Sequence, residues 1–338
     1  MLHNIAVLGA GAWGTALAQI AALAQITARD GGQVTLWARD AELAETINSR
    51  QENPRHLPGI ALNATVRASS DLDACLDSAQ AVLLAIPAQG LRDLCTALAG
   101  RLPADCPLVI CAKGIERDSG KLPSQVVEET LPGQPLAVLS GPSFAEEAAR
   151  GLPTAVTLAC RDRLTGSRLA GALAGGAFRP YLSDDPRGAE IGGALKNVVA
   201  IACGIVEGRD LGQNARAGLI TRGLAEMARL GTQLEARRDS FMGLSGLGDL
   251  TLTCTSRASR NYSLGHALGR GDSLDQALAA SRGVTEGIYT AQAASLLSRR
   301  LGVELPIAGA VDAVVNRGAD LEQTIQAMLA RPLKKETA

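Results

Sequence analysis

Only five of the 33 basic side chains in this 338-residue chain are lysines, at positions 113, 121, 196, 334 and 335. A lysine can lose its proton when its surroundings lower its pKa, whereas arginine effectively cannot, so the lysines are the candidates for proton transfer. Lys196 is the only charged residue between Ile191 and Val206. On an apolar helix, desolvation disfavours its ammonium form and moves it toward acid/base work near neutrality. Gly192 and Gly193, one turn earlier, are expected to clear space beside it. A lysine snorkelling at a domain seam is the plainer alternative. Lys113 follows the apolar run Leu108–Ala112 and precedes Gly114. That is the carboxyl end of a parallel strand, where ligands of α/β sheets bind, although loop charges are common there too.

A second constellation is Gly9-Ala10-Gly11-Ala12-Trp13-Gly14, a G-x-G-x-x-G that follows a strand and opens a helix. Gly9 permits the tight turn, Gly11 lets a pyrophosphate approach the backbone, and Gly14 lets helix pack on strand. The helix N-terminus then points its amides at the phosphates. At the end of the next strand, where NAD sites usually carry an acidic residue, the chain reads Ala38-Arg39-Asp40. Arg39 suits a 2′-phosphate and favours NADP(H), while Asp40 keeps NAD(H) open. Ser259-Arg260-Asn261 precedes the helical run Tyr262–Leu268 and fits either a substrate phosphate or a helix cap. Asp249, in Ser245-Gly246-Leu247-Gly248-Asp249, is a carboxylate brought close to other groups or a turn former.

These residues need a scaffold. Strand-length apolar runs at Ile5–Leu8, Gln33–Trp37, Ala81–Ile86, Leu108–Ala112 and Leu136–Leu139 suit parallel strands covered on both faces. Thr154–Leu158 and Phe178–Leu182 add two more, and Thr15–Ala28 is helical. The alternation predicts a doubly wound α/β domain over residues 1–186. From about Pro186 strands stop, and helices are expected at Ala189–Val206, Ala215–Leu230, Ser273–Ala280, Thr285–Leu301 and Leu321–Leu329, with Gly231 and Pro306 as punctuation. Residues 187–338 are therefore read as an all-α domain, with a polar, frayed tail from Arg331.

Composition narrows the function. A balance of 33 basic against 34 acidic side chains offers no basic field for nucleic acid, and 2% aromatics offer no stacking platform. Seven cysteines without a C-x-x-C pair, and three scattered histidines, point to reduced thiols in a cytoplasmic protein with no metal site. The uncharged N-terminus lacks a basic n-region and is interrupted by Asn4, Gln19 and Gln25, so it reads as a buried strand and helix rather than an export signal or membrane span.

Taken in order, the blocks GAGAWGTALA (Gly9–Ala18), CAKGIE (Cys111–Glu116), LSGPSFA (Leu139–Ala145), GALKNVVAIACGIVEGRDLGQN (Gly193–Asn214), SGLGD (Ser245–Asp249) and SRN (Ser259–Asn261) resemble the bacterial NAD(P)-dependent glycerol-3-phosphate dehydrogenases over essentially the full length. The resemblance implies a Rossmann-type N-terminal domain and interconversion of sn-glycerol 3-phosphate and dihydroxyacetone phosphate with NADP(H) or NAD(H), feeding glycerophospholipid synthesis. It implies Lys196 as the catalytic acid/base. Lys113, Gly141, Ser143, Lys196, Asp249, Ser259, Arg260 and Asn261 would hold substrate. Ala12, Trp13, Arg39, Lys113, Ala145, Arg260, Val284 and Glu286 would line the cofactor beside the glycines. Ala12 stands where the family often has Ser, which removes one hydrogen bond, and the stretch Ile20–Gly32 is several residues longer than usual. The partner expected is a small phosphorylated molecule, with a homodimer kept open as the assembly. The rivals are another 2- or 3-hydroxyacid dehydrogenase and a dinucleotide-sensing regulator; the regulator would need no ionisable group on an apolar helix.

Overall fold

Short runs of branched and apolar residues build the sheet, and alanine- and leucine-rich stretches cover it. In the computed structural model, which describes residues 2–28, 32–280, 283–332 and 335, the first part runs β1 (Ile5–Leu8), α1 (Ala12–Ala28), β2 (Val34–Trp37), α2 (Ala41–Arg50), β3 (Val66–Ser69), α3 (Leu72–Leu76), β4 (Ala81–Leu84), α4 (Leu91–Leu98), β5 (Leu108–Ile110), α5 (Pro123–Thr130), β6 (Leu136–Ser140), α6 (Ala145–Ala149), β7 (Thr154–Cys160), α7 (Arg163–Leu173) and β8 (Phe178–Ser183). Then come α8 (Pro186–Gly208), α9 (Gly212–Gln233), α10 (Asp249–Cys254), α11 (Arg260–Arg270), α12 (Leu274–Ala279), α13 (Glu286–Leu301), α14 (Pro306–Arg317) and α15 (Leu321–Leu329).

The eight strands lie in the order β3-β2-β1-β4-β5-β6-β7-β8. This is a doubly wound, Rossmann-type sheet in which the chain reverses direction of travel between β1 and β4, opening a crevice at the carboxyl ends of those strands. Its strands β1 and β4 are buried throughout, as expected of strands covered on both faces. The sequence leaves the direction of β7 open: β6 pairs parallel with β5 but antiparallel with β7. The connection between them holds only the five-residue α6, which packs on α1 instead of crossing the sheet, so the chain turns back on itself.

Beyond Ser183 the described chain is helical. Helix α8 is 23 residues long and buried along nearly its whole length, the signature of a central core helix. By length and composition alone it could cross a membrane, yet 94% of its apolar window is buried inside the protein. Pro306 does not merely punctuate; it sits in the first turn of α14, where its missing N–H costs nothing. Helices α2 to α7, α10 and α14 and strand β3 have no counterpart among the elements expected from the sequence. Residues 29–31 of the long Ile20–Gly32 stretch, and 333–334 and 336–338 of the tail, lie outside the described residues. The seven cysteines are free and buried.

Candidate active site

The glycine turn joins β1 to α1 beside the crevice. A Cβ on Gly14 would sit 1.8 Å from the Gly9 carbonyl oxygen, so only glycine lets the helix close on the turn. Around Gly11 a Cβ would meet nothing within 4 Å, which leaves the room a pyrophosphate needs. Ala12 and Trp13 begin α1. The Trp13 ring packs in a small cluster with Ala145, and its buried Nε1 has no partner. The Lys113 ammonium stands 6.0 Å from the centre of that ring. Arg39 is exposed immediately after β2. These features fit a dinucleotide: an open cradle at the helix N-terminus and an unsatisfied donor beside it.

Across the crevice two lysines converge on one carboxylate. Asp249, only 1% exposed, accepts from Lys196 Nζ at 2.5 Å and from Lys113 Nζ at 2.8 Å, one oxygen each. Thr253, one turn further along α10, accepts from Lys196 at 3.0 Å. Lys113 also donates to the Gly141 carbonyl at 2.8 Å and the Ser143 hydroxyl at 3.3 Å. Two of the three Lys196 donor positions are thus taken, which leaves one to face a ligand.

Burial pushes Lys196 down to about 8, against the opposing pull of Asp249. Burial alone would raise Asp249, yet Lys113 and Lys196 hold it below the usual carboxylate range. The sequence reading of Lys196 as an isolated charge is therefore corrected in one respect: its counter-charge comes from 53 residues away. The glycines before it are corrected as well. A Cβ on Gly192 would lie 2.4 Å from the Ser245 carbonyl oxygen, and one on Gly193 2.6 Å from Ser140 Oγ. They admit the π turn Leu244–Gly248 and the end of β6, rather than clearing space at the ammonium.

Asparagines tie this cluster to the α13 N-terminus. Asn197 donates to the Lys113 carbonyl at 3.0 Å and accepts from Asn261 Nδ2 at 2.9 Å, while Asn261 Oδ1 accepts from Gly287 N at 2.9 Å. Ser259 is the N-cap of α11, accepting from Tyr262 N at 3.3 Å. Arg260 is exposed and extends toward Gly283, beside the exposed Val284. Glu286 accepts from Ala88 N at 3.0 Å, its second oxygen is buried without a partner, and burial raises it to about 7.

Lys113, Gly141, Ser143, Lys196 and Asp249 thus form one cluster with Trp13 beside it, and Arg260, Asn261, Val284 and Glu286 gather at the start of α13. Arg39 stands apart at the end of β2. Sequence reasoning assigned nothing to Thr253 or Asn197. Thr253 was detectable as the residue four after Asp249 on a helix, and Asn197 as the polar neighbour of Lys196.

The profile described as NAD-dependent glycerol-3-phosphate dehydrogenase N-terminus matches residues 4–165, and the C-terminus profile of the same family matches 185–326. A glycerol-3-phosphate dehydrogenase [NAD(P)+] from Rhodospirillum rubrum is 52% identical over 336 residues, covering 99% of this chain and 95% of that one. One from Caulobacter vibrioides is 52% identical over 334 residues, covering 99% of each. The crystal structure of glycerol-3-phosphate dehydrogenase from Coxiella burnetii matches with a TM-score of 0.92 at 38% identity, covering 98% of this chain and 99% of that one.

Proposed function

The chain belongs to the NAD-dependent glycerol-3-phosphate dehydrogenase family, and we propose on that premise how its residues divide the work of interconverting sn-glycerol 3-phosphate and dihydroxyacetone phosphate. Residues 1–186 carry the cofactor, and 187–338 carry the acid/base and close over the substrate. When bound, the nicotinamide cofactor supplies the hydride that reduces C2. Lys196 gives its free proton to the oxygen developing negative charge at C2, and a lysine brought to about 8 is well matched to that task near neutrality. Asp249 keeps Lys196 protonated and fixes both lysines; Lys113 positions and polarises the substrate by exchanging its longest contact, the 3.3 Å one to Ser143, for a substrate oxygen. Gly141, Ser143, Ser259, Arg260 and Asn261 hold the substrate. The exposed Arg260 guanidinium meets its phosphate, Ser259 offers its hydroxyl hydrogen, and Asn261 its second amide hydrogen.

Gly9, Gly11, Ala12, Trp13, Gly14, Arg39, Lys113, Ala145, Arg260, Val284 and Glu286 line the cofactor, and Arg39 favours NADP(H) over NAD(H). The product feeds glycerophospholipid synthesis in the cytoplasm, and the assembly to test by sedimentation is a homodimer. The observation that carries the catalytic reading is the buried Lys113–Asp249–Lys196 bridge at the open crevice. Loss of reduced-nicotinamide absorbance on adding dihydroxyacetone phosphate tests it; no turnover above buffer with either cofactor overturns it.

A further inference from the structure

Asp40 stands at the end of β2, where a carboxylate normally grips the ribose hydroxyls of NAD, and three of its acceptor positions are already engaged. One oxygen accepts from Glu42 N at 3.0 Å and Leu43 N at 3.3 Å, capping α2. The other is paired with Arg55 Nη1 at 2.5 Å. The Arg55 hydrogen bond, ahead of the capping amides, holds Asp40 below the ordinary carboxylate range.

The Arg55 side chain is half exposed, but its backbone is held in place. It lies on a loop fastened to the phosphate-binding turn itself. Asn53, fully buried, donates to the Ala10 carbonyl at 2.9 Å and the Thr15 hydroxyl at 2.8 Å, and accepts from His56 N at 3.1 Å. Leu57 N closes the loop on the Asn53 carbonyl at 2.8 Å, and Gly59 N on Glu52 at 2.8 Å. Leu57 and Ile60 are buried against Ala16 and Ala149. The loop is therefore fixed relative to the glycine turn, and its arginine is delivered to the end of β2 beside the exposed Arg39.

A bare carboxylate here would repel a 2′-phosphate and attract ribose hydroxyls. With Arg55 on one oxygen and two amides on the other, it does neither well. We propose that Arg55 is a specificity-determining residue that neutralises Asp40 and so opens the end of β2 to the 2′-phosphate of NADP(H). This rests on the Arg39 cofactor reading above, and the two can fail separately.

Calorimetric titration with 2′,5′-ADP, which carries the 2′-phosphate, and with 5′-AMP, which lacks it, separates them without any turnover. The wild-type protein should bind 2′,5′-ADP more tightly; equal affinities overturn the cofactor reading itself. Given that preference, Arg55→Ala should weaken 2′,5′-ADP about fivefold, the worth of one unit charge facing another through water at contact range, while 5′-AMP, whose ribose hydroxyls can donate to the freed carboxylate oxygen, should bind no more weakly than to wild type. The double variant Asp40→Asn/Arg55→Ala should return to near the wild-type value, because the charge needing neutralisation is gone while Asn still caps α2. Asp40→Asn alone should bind 2′,5′-ADP at least as tightly as wild type. An Arg55→Ala protein with unaltered 2′,5′-ADP affinity, or a loss that Asp40→Asn does not restore, refutes the neutralising role.

Discussion

Asp249→Asn isolates the charge that links the two lysines. The substitution keeps the size of the side chain and removes its charge from a site where Asp249 is 1% and the Lys196 side chain 9% exposed. A unit charge in contact with another, at the effective dielectric of a largely buried site, is worth about 4 kcal/mol, or up to roughly a thousandfold in Lys196's hold on its proton. Lys196 already lies at about 8 because of burial, with Asp249 pulling the other way. Without that pull, the protonated fraction at pH 7 falls from about nine-tenths to about one per cent. In the direction that reduces dihydroxyacetone phosphate, kcat at pH 7 should drop roughly a hundredfold, and the alkaline limb of its pH profile should move to lower pH, with activity partly recovered near pH 5. Cofactor binding, followed by reduced-nicotinamide fluorescence, should change little. The assay is a pH–rate profile on both proteins. If the variant keeps its alkaline limb near pH 8, or loses activity equally at every pH, Asp249 does not act by keeping Lys196 charged.

Lys196→Arg keeps a positive charge for Asp249 but cannot donate a proton at useful pH, so kcat should fall by about 10²–10⁴ with the reduced-cofactor Kd nearly unchanged; a folded variant with near-normal turnover would leave Lys113 as the proton donor. Arg260→Lys retains charge and loses the planar fork, so KM for dihydroxyacetone phosphate should rise clearly, and that for cofactor with it, while kcat falls less; unchanged constants would reduce Ser259–Asn261 to a helix cap. Buried Glu190 of α8 accepts from both the amide and the hydroxyl of Ser124 on α5, at 2.6 Å each, and burial raises it to about 7. Its folded value lies above the unfolded one of 4.5, so its stabilisation is complete below about pH 4.5 and is lost as pH rises through 7. Melting curves of Glu190→Gln and wild type should diverge across that window by up to about 1.4 kcal/mol per pH unit, the Gln protein faring relatively better at pH 8; parallel curves would mean Glu190 is ionised throughout.

The sequence exposed the cofactor half of the site more fully than the chemical half, and the reason is the range over which each is built. The glycine turn is a local device: Gly9, Gly11 and Gly14 act within one strand–turn–helix, so their spacing already contains the geometry. The burial of Lys196 was readable for the same reason, since sixteen consecutive residues of α8 carry no other charge. Its partner was not, because Asp249 is fixed on the far side of a π turn, and nothing in S-G-L-G-D reveals which side chain it will meet. The direction of β7 is equally illegible: its apolar run looks the same in either direction, and only the short α6 connection decides. For Ser259-Arg260-Asn261, cap and anion site are compatible roles. Ser259 does cap α11, and Asn261 is tied through Asn197 to the loop of Lys113. Those commitments hold the helix terminus and Arg260 in register with the lysine cluster, so the cap is the means by which the guanidinium is presented to an anion rather than an alternative to it.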